Sequence, residues 1–296
     1  MRTTDHRAAP RSTQVQAWHP APAIHVTLAL HAAGVLTLAI QPSLWAWVVI
    51  ALAANHLVLS IAVFFPRGNL LGPNITRLPP EAAARGEIAL TFDDGPDPEV
   101  TPQVLDLLDR NRMKASFFCI GEKAAAFPEI VREIVRRGHS VENHSSCHSY
   151  AFAFCGPSRL GREVDAAQST IGGITGRAPG FFRAPAGFRN PFLDPVLAKR
   201  ALLYVSWTRR GFDTVCRDPG VVLSKLTRGL AAGDILLLHD GNAARTAQGQ
   251  PIVLAVLPLL LERLGAYRLA SVALTNVYPR FEPDAGAADP RRSELS

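Results

Sequence analysis

Two long apolar stretches open the patterned part of the chain, residues 22–40 and 44–65, and neither contains an Asp, Glu, Lys or Arg. Each is close to the roughly 20 residues that carry a helix across a bilayer. Only Gln41-Pro42-Ser43 separates them, so the pattern predicts a transmembrane helical hairpin, with Trp18, Trp45 and Trp47 where interfacial aromatics are expected. A cleaved signal peptide fits less well, because the apolar region is too long and no small-x-small cleavage site stands out. A single span followed by a buried second helix is the other alternative. Residues 1–21 read as a polar tail and 67–85 as a linker with Pro, Gly and Asn.

From residue 86 the period changes. Short β-leaning runs at 88–92, 115–120, 140–143, 181–183, 203–207, 235–238 and 268–273 alternate with helical patterns at 101–112, 122–137, 158–171, 191–200, 219–230 and 253–264. Repeated strand-helix alternation implies parallel strands with right-handed crossovers, hence an α/β barrel or a doubly wound sheet. Seven strand candidates point to a distorted (β/α) barrel over residues 86–278, short of eight strands or incompletely closed. Residues 279–296 are Pro/Ala/Asp/Arg-rich and read as a disordered tail.

Hydrophobic residues make up 48% of the chain, and the excess sits in the hairpin. The net charge of +6 is scattered, with no basic helix, zinc-finger spacing or RNA-binding aromatic signature, which argues against nucleic acid and favours an anionic membrane surface as partner. Arg2, Arg7 and Arg11 precede the first span, Arg67, Arg77 and Arg85 follow the second, and the turn carries no charge. The positive-inside rule then puts both ends in the cytoplasm of a bacterial-type cell, a multi-pass inner-membrane protein with a cytosolic domain. Cys119, Cys147, Cys155 and Cys216 show neither CxxC nor framework spacing, which argues against a disulfide scaffold and against a cysteine zinc site.

The chemistry begins where the first β-run of the domain ends in Asp93-Asp94, followed by Gly95-Pro96-Asp97-Pro98, which turns the chain. Two adjacent carboxylates held out of water need a cation or a raised pKa. After the third run come His144 and His148, at i and i+4, which share a face on a helix and can reach one metal ion. In a parallel barrel all strand C-termini converge on one face, so the two motifs can meet although about fifty residues separate them. The same rule gathers Arg183 with Pro185 and Gly187, Asp213, and His239-Asp240.

Thr91-Phe92-Asp93-Asp94-Gly95-Pro96, His144-Ser145-Ser146-Cys147-His148, Arg183-Ala184-Pro185-Ala186-Gly187 and Leu236-Leu237-Leu238-His239-Asp240 together resemble, in order and spacing, the motifs of the polysaccharide deacetylase family, the NodB-homology domain of carbohydrate esterase family 4. The resemblance covers roughly residues 86–275 and leaves out the hairpin. It implies a metal-dependent hydrolase that removes N-acyl, usually N-acetyl, groups from amino sugars. By motif position it makes Asp94, His144 and His148 ligands of one divalent ion, zinc or else cobalt, nickel or manganese. Asp93 becomes the general base, Arg183 its charge partner, His239 the general acid and Asp213 the residue that orients it, with Asp218 the competing choice. A backbone N–H near Ala186 would help hold the oxyanion. Leu238, with Leu236 and Leu237, would line a pocket for the acyl methyl group or serve as barrel core.

Relatives carry an aromatic where Ala186 stands and a Trp where Thr214 follows Asp213, so the groove walls that set sugar specificity differ here. The expected function is a membrane-anchored N-deacetylase of an amino sugar, lipid-linked if the domain is cytosolic. A deformylase of a lipid-linked amino sugar and an extracytoplasmic peptidoglycan or polysaccharide deacetylase are the alternatives. A non-catalytic carbohydrate-binding membrane protein is the alternative of another class, and the retention of every ligand and of the base argues against it. A serine esterase is excluded by the absence of a GxSxG elbow.

Overall fold

In the computed structural model, which describes residues 18–278, side chains along the central strands alternate between two apolar layers. On β1 (Glu87–Gly95), Ile88, Leu90 and Phe92 pack outward under the helices, while Ala89 joins an inner cluster with Phe118, Phe181, Ile235 and Leu237. Thr91 and Asp93 share that inner face by period 2, so the alternation that builds the core also aims polar groups into it. The other strands are β2 (Ala115–Cys119), β3 (Ser140–Asn143), β4 (Phe181–Phe182), β5 (Leu203–Tyr204), β6 (Arg209–Arg210), β7 (Ile235–His239) and β8 (Ala270–Ser271). All pair in parallel, in the order β5-β4-β3-β2-β1-β7-β6, with β8 against the start of β1. The result is a curled half-barrel of parallel strands, seven on the continuous path with β8 beside β1, the parallel architecture that the alternation predicts.

The curl does not close by strand pairing between β5 and β6. The linker fills the gap: Ile75 N–H donates to Tyr204 O (3.0 Å), Ser206 N–H donates to Ile75 O (2.9 Å), and Arg77 reaches the fully buried Asp234 at 2.8 Å. Strand β6 was not expected, because two adjacent arginines carry neither alternation nor apolar character. The expected helix over 122–137 is two, α5 (Gly121–Ala126) and α6 (Pro128–Arg136). Pro128 has no N–H to continue the ladder and forces Phe127 out of helical geometry (φ −130°, ψ 58°).

Two N-terminal apolar helices, α1 (Pro22–Ile40) and α2 (Trp45–Ala62), are long and apolar enough to cross a membrane; 6% of the first span's window is buried in the protein and none of the second's. They pair where Gly34 admits Val48, since a Cβ at Gly34 would lie 2.9 Å from Val48 Cγ1. Asn55 Nδ2 donates to Thr27 Oγ1 at 3.0 Å, and the His31 and His56 rings sit 5.2 Å apart. Those polar groups lie between the two helices. Arg2, Arg7, Arg11 and the tail at 279–296 lie outside the described residues.

The hairpin is fastened to the domain. Val63 is buried with Leu71 and Ala153, and Phe64 stands edge-on to Phe188 at 5.4 Å. Arg189 donates to the carbonyls of Gly68, Gly72 and Pro73, while Val58, Ile61, Phe65 and Leu70 line an apolar groove of about 350 Å³ beside it. Gly187 marks the closest approach: its φ is +79°, and a Cβ there would fall 2.5 Å from Trp207 Cη2 and 2.8 Å from Pro66 Cβ. Gly187→Ala is expected to cost about 2–5 kcal/mol, combining left-handed strain of about 1–2 with overpacking of about 1–3. Urea unfolding of the full chain in micelles measures it, and a midpoint equal to the parent's would contradict this packing.

Candidate active site and metal centre

Adjacent strand residues normally face opposite sides of a sheet, yet both Asp93 and Asp94 reach the same site. The register explains it: Asp93 pairs with Phe118 and Gly95 with Cys119, leaving Asp94 as an unpaired bulge with φ +70°. A bulge re-aims one side chain. Asp93 stays in the ladder, opposite His239 of β7.

Arg183, placed just past β4, has no exposed surface and occupies the barrel interior. Its Nη1 donates to Asp93 Oδ1 (2.6 Å) and Thr91 Oγ1 (2.9 Å), its Nη2 to Ser206 O (2.8 Å), its Nε to Val205 O (3.2 Å), and its Cζ lies 4.1 Å from the Phe118 ring centroid. Charge and hydrogen bonding are thus both answered, as burial of a guanidinium requires.

His144 and His148 do meet Asp94, but not from a helix. The segment after β3 is irregular, with Ser145 at φ +64° and His148 at φ +52°. Side-chain bonds hold it instead of a helical ladder: Asn143 Oδ1 accepts from Ser145 N, and Ser145 Oγ accepts from His148 N. Ser145 therefore supports the loop rather than presenting a nucleophile. Asp94 Oδ1 lies 3.1 Å from His144 Nε2 and 3.0 Å from His148 Nε2.

These three residues could hold a divalent ion, and the donor chemistry fits one. His144 Nδ1 lies 2.9 Å from Arg183 O, a carbonyl that can only accept, so Nδ1 carries a proton and, in the neutral ring that a metal ligand must be, Nε2 carries a lone pair. In that tautomer Nε2 has no proton to give Asp94, and Asp94 Oδ1 is a buried oxygen with no hydrogen-bond partner. Lone pairs that converge at such distances without a shared proton are what a cation bridges.

Asp213 rather than Asp218 orients His239. Asp213 Oδ1 is 2.8 Å from His239 Nδ1 and Oδ2 accepts from His239 N at 2.7 Å, whereas Asp218 caps the helix at Pro219–Thr227 by accepting from Gly220 N and Val221 N. Burial lowers the His239 pKa, and the Asp213 charge and hydrogen bond outweigh it, leaving it raised. Its Nε2 is the ring atom left for other work.

Leu238 does not line the site. It is fully buried in the outer core with Phe92 and Leu236, because period 2 turns it away from the face that His239 and Leu237 occupy. Ala186 is exposed, in a turn at φ +55° three residues past Arg183. Thr91 was legible from its i,i+2 relation to Asp93, but its role was missed. Tyr150, 90% exposed with its ring 6.0 Å from that of His148, and Asn242, which donates to Asp94 Oδ2 at 3.1 Å, carried no motif signal. Asp240, fully buried, accepts from Thr101 Oγ1, and burial pushes its pKa up to about 7.

Residues 81–204 match the family model described as polysaccharide deacetylase. A peptidoglycan-N-acetylglucosamine deacetylase of Bacillus cereus is 32% identical over 188 residues, spanning 63% of this chain and 86% of that protein. A chitooligosaccharide deacetylase of Bradyrhizobium is 38% identical over 157 residues, spanning 52% and 70%. Among solved structures, the family 4 carbohydrate esterase from Streptomyces lividans in complex with acetate aligns with a TM-score of 0.57 at 32% identity, covering 63% of this chain and 91% of that one. The Bc1960 peptidoglycan N-acetylglucosamine deacetylase, solved with 4-naphthalen-1-yl-N-oxidanyl-benzamide, aligns with a TM-score of 0.62 at 25% identity, covering 69% and 92%.

Arg183→Met is expected to cost about 3–5 kcal/mol, because it strands the Asp93 carboxylate in the barrel interior; chemical denaturation reads the loss. A raised histidine pKa contributes stability that is full below the unfolded pKa and is lost as pH rises through the folded one. Asp213→Asn removes the Asp213 charge, so the His239 titration followed by NMR moves to lower pH, and the loss of stability with rising pH begins earlier.

Proposed function

The chain belongs to the polysaccharide deacetylase family, and from that membership we propose that it is a membrane-anchored, metal-dependent enzyme that hydrolyses the N-acetyl amide of an amino sugar. The observation that carries this is the convergence, at one end of the strands, of Asp94, His144 and His148 with the Asp93–Arg183 and His239–Asp213 pairs. A divalent ion held by the first three, zinc by donor type with cobalt, nickel or manganese as alternatives, would supply Lewis-acid polarisation of the amide carbonyl and a more acidic water.

The remaining steps belong to the chain's own groups. Arg183 occupies Asp93 Oδ1, which leaves Oδ2 to take the proton of the attacking water. The oxyanion that forms is met by the backbone N–H at Ala186. His239, held through Nδ1 by Asp213, gives a proton from Nε2 to the sugar nitrogen as the C–N bond breaks, since an amide anion is too basic to leave. Tyr150 offers an exposed ring face beside His148 for a sugar ring, in a chain that lacks an aromatic at position 186.

The side of the membrane divides the substrates. Positive-inside favours a cytosolic domain and a lipid-linked amino sugar, acetylated or formylated. The contact of Phe64 with Phe188, next to the Ala186 turn, suits a substrate presented at the membrane surface. A second reading, with the domain outward and peptidoglycan or an exported polysaccharide as substrate, is favoured by the relatives named for peptidoglycan and chitooligosaccharide. It also gains because Arg67, Arg77 and Arg85 all bond to the domain, to Thr208 O, Asp234 and Glu87, so folding alone accounts for their presence.

Purified full-length protein is expected to release acetate from N-acetylated saccharides or from an N-acetylglucosaminyl lipid, and to lose that activity with chelator. Asp93→Asn is expected to slow release about 10²-fold or more with metal still bound. Asp94→Asn should lose both metal and activity while staying folded; unchanged release in that variant would refute the site. C-terminal reporter fusions decide the side, and an extracytoplasmic signal sinks the lipid-linked cytosolic version.

A further inference from the structure

We propose that Asn242 is a positioning residue that decides which oxygen of Asp94 is offered to the metal. A carboxylate has two equivalent oxygens, and at this bulge they are made unlike. Oδ1 points between the two imidazole nitrogens, at 3.1 and 3.0 Å, while Oδ2 accepts from Asn242 Nδ2 at 3.1 Å. With Oδ2 occupied, Asp94 would offer an ion one oxygen only, which would leave room for water and the substrate carbonyl.

Three features show that the contact is built into the fold. Asn242 is itself left-handed, at φ +55°, a conformation that asparagine tolerates better than most residues. Gly241 before it packs so closely on the Asp94 backbone that a Cβ would lie 2.0 Å from Asp94 O, so the loop after β7 and the bulge of β1 share one surface. Lys123 Nζ donates to Asp94 O at 2.8 Å and lies 3.5 Å from Asn242 Oδ1. An ammonium beside Oδ1 also fixes the orientation of the amide, since it can face only the carbonyl end; the NH₂ is thereby turned to Asp94. Lys123 holds Asp94 in place through its backbone, and Asn242 holds it through its side chain.

The proposal rests on reading Asp94, His144 and His148 as the metal set, and the test separates the two. Zinc and cobalt are titrated into metal-stripped full-length protein in micelles, in competition with a chromophoric chelator, alongside thermal melts of the stripped protein. Asn242→Gly removes the donor at a position whose φ glycine accepts without strain. It is expected to bind metal about 10–100-fold more weakly with the melt unchanged, and Lys123→Met is expected to show a smaller loss in the same direction. Parent protein that binds neither ion overturns the metal reading and this one with it. Parent protein that binds while Asn242→Gly binds within about twofold of it overturns the positioning role alone. A lowered melt with unchanged affinity overturns it as well, because it assigns Asn242 to the loop and not to the ligand.

Discussion

A guanidinium with no exposed surface sits in the middle of this barrel, and the candidate site is arranged around the need to keep it there. A buried cation costs several kcal/mol unless its charge and its donors are all answered. Arg183 meets that demand with one carboxylate, one hydroxyl, two backbone carbonyls and an aromatic face. The constraint also runs the other way. Asp93 meets its opposite charge in Arg183 at 2.6 Å, and the Arg183 carbonyl faces Nδ1 of His144. One side chain and its own backbone thus engage two further groups.

Period-2 alternation made the architecture readable, since a β-run ending in polar residues announces a strand end at a common face. The motif residues were legible for the same reason: Asp93, Arg183 and His239 lie in or just after strands, where direction follows from count. What escaped depends on departures from regular backbone. The bulge at Asp94 follows from no local propensity, and it alone lets neighbouring carboxylates face one way. The histidine pair looked helical by spacing, but left-handed residues at Ser145 and His148 reach the same point by another route. Leu238 was misjudged by proximity to His239 along the chain, where alternation sends it to the opposite layer. Asn242 contacts Asp94 across 148 residues of sequence, which no spacing rule reaches.

The hairpin and the domain share a boundary at the turn after Arg183. Gly187 lies under Pro66, Phe188 against Phe64, and Arg189 holds the linker carbonyls. Short, bonded connections of this kind leave little freedom between the helix pair and the domain it joins, unlike a flexible linker. The same linker closes the gap between β5 and β6 through Ile75 and Arg77, so the segment that ties the helices to the domain also completes the domain.

Asp93 and Asp94, adjacent in sequence, end with different chemistry because each meets a different partner. Like charges this close cannot both persist in a dry site without compensation, and sharing one cation between them would leave neither free. Arg183 takes one oxygen of Asp93, so that residue keeps a second oxygen for a proton. The imidazoles face one oxygen of Asp94, and Asn242 occupies the other, so that residue keeps none. The bulge separates the two environments by turning one side chain, and the proposed division of labour between a proton acceptor and a ligand follows from what surrounds each carboxylate rather than from the carboxylates themselves.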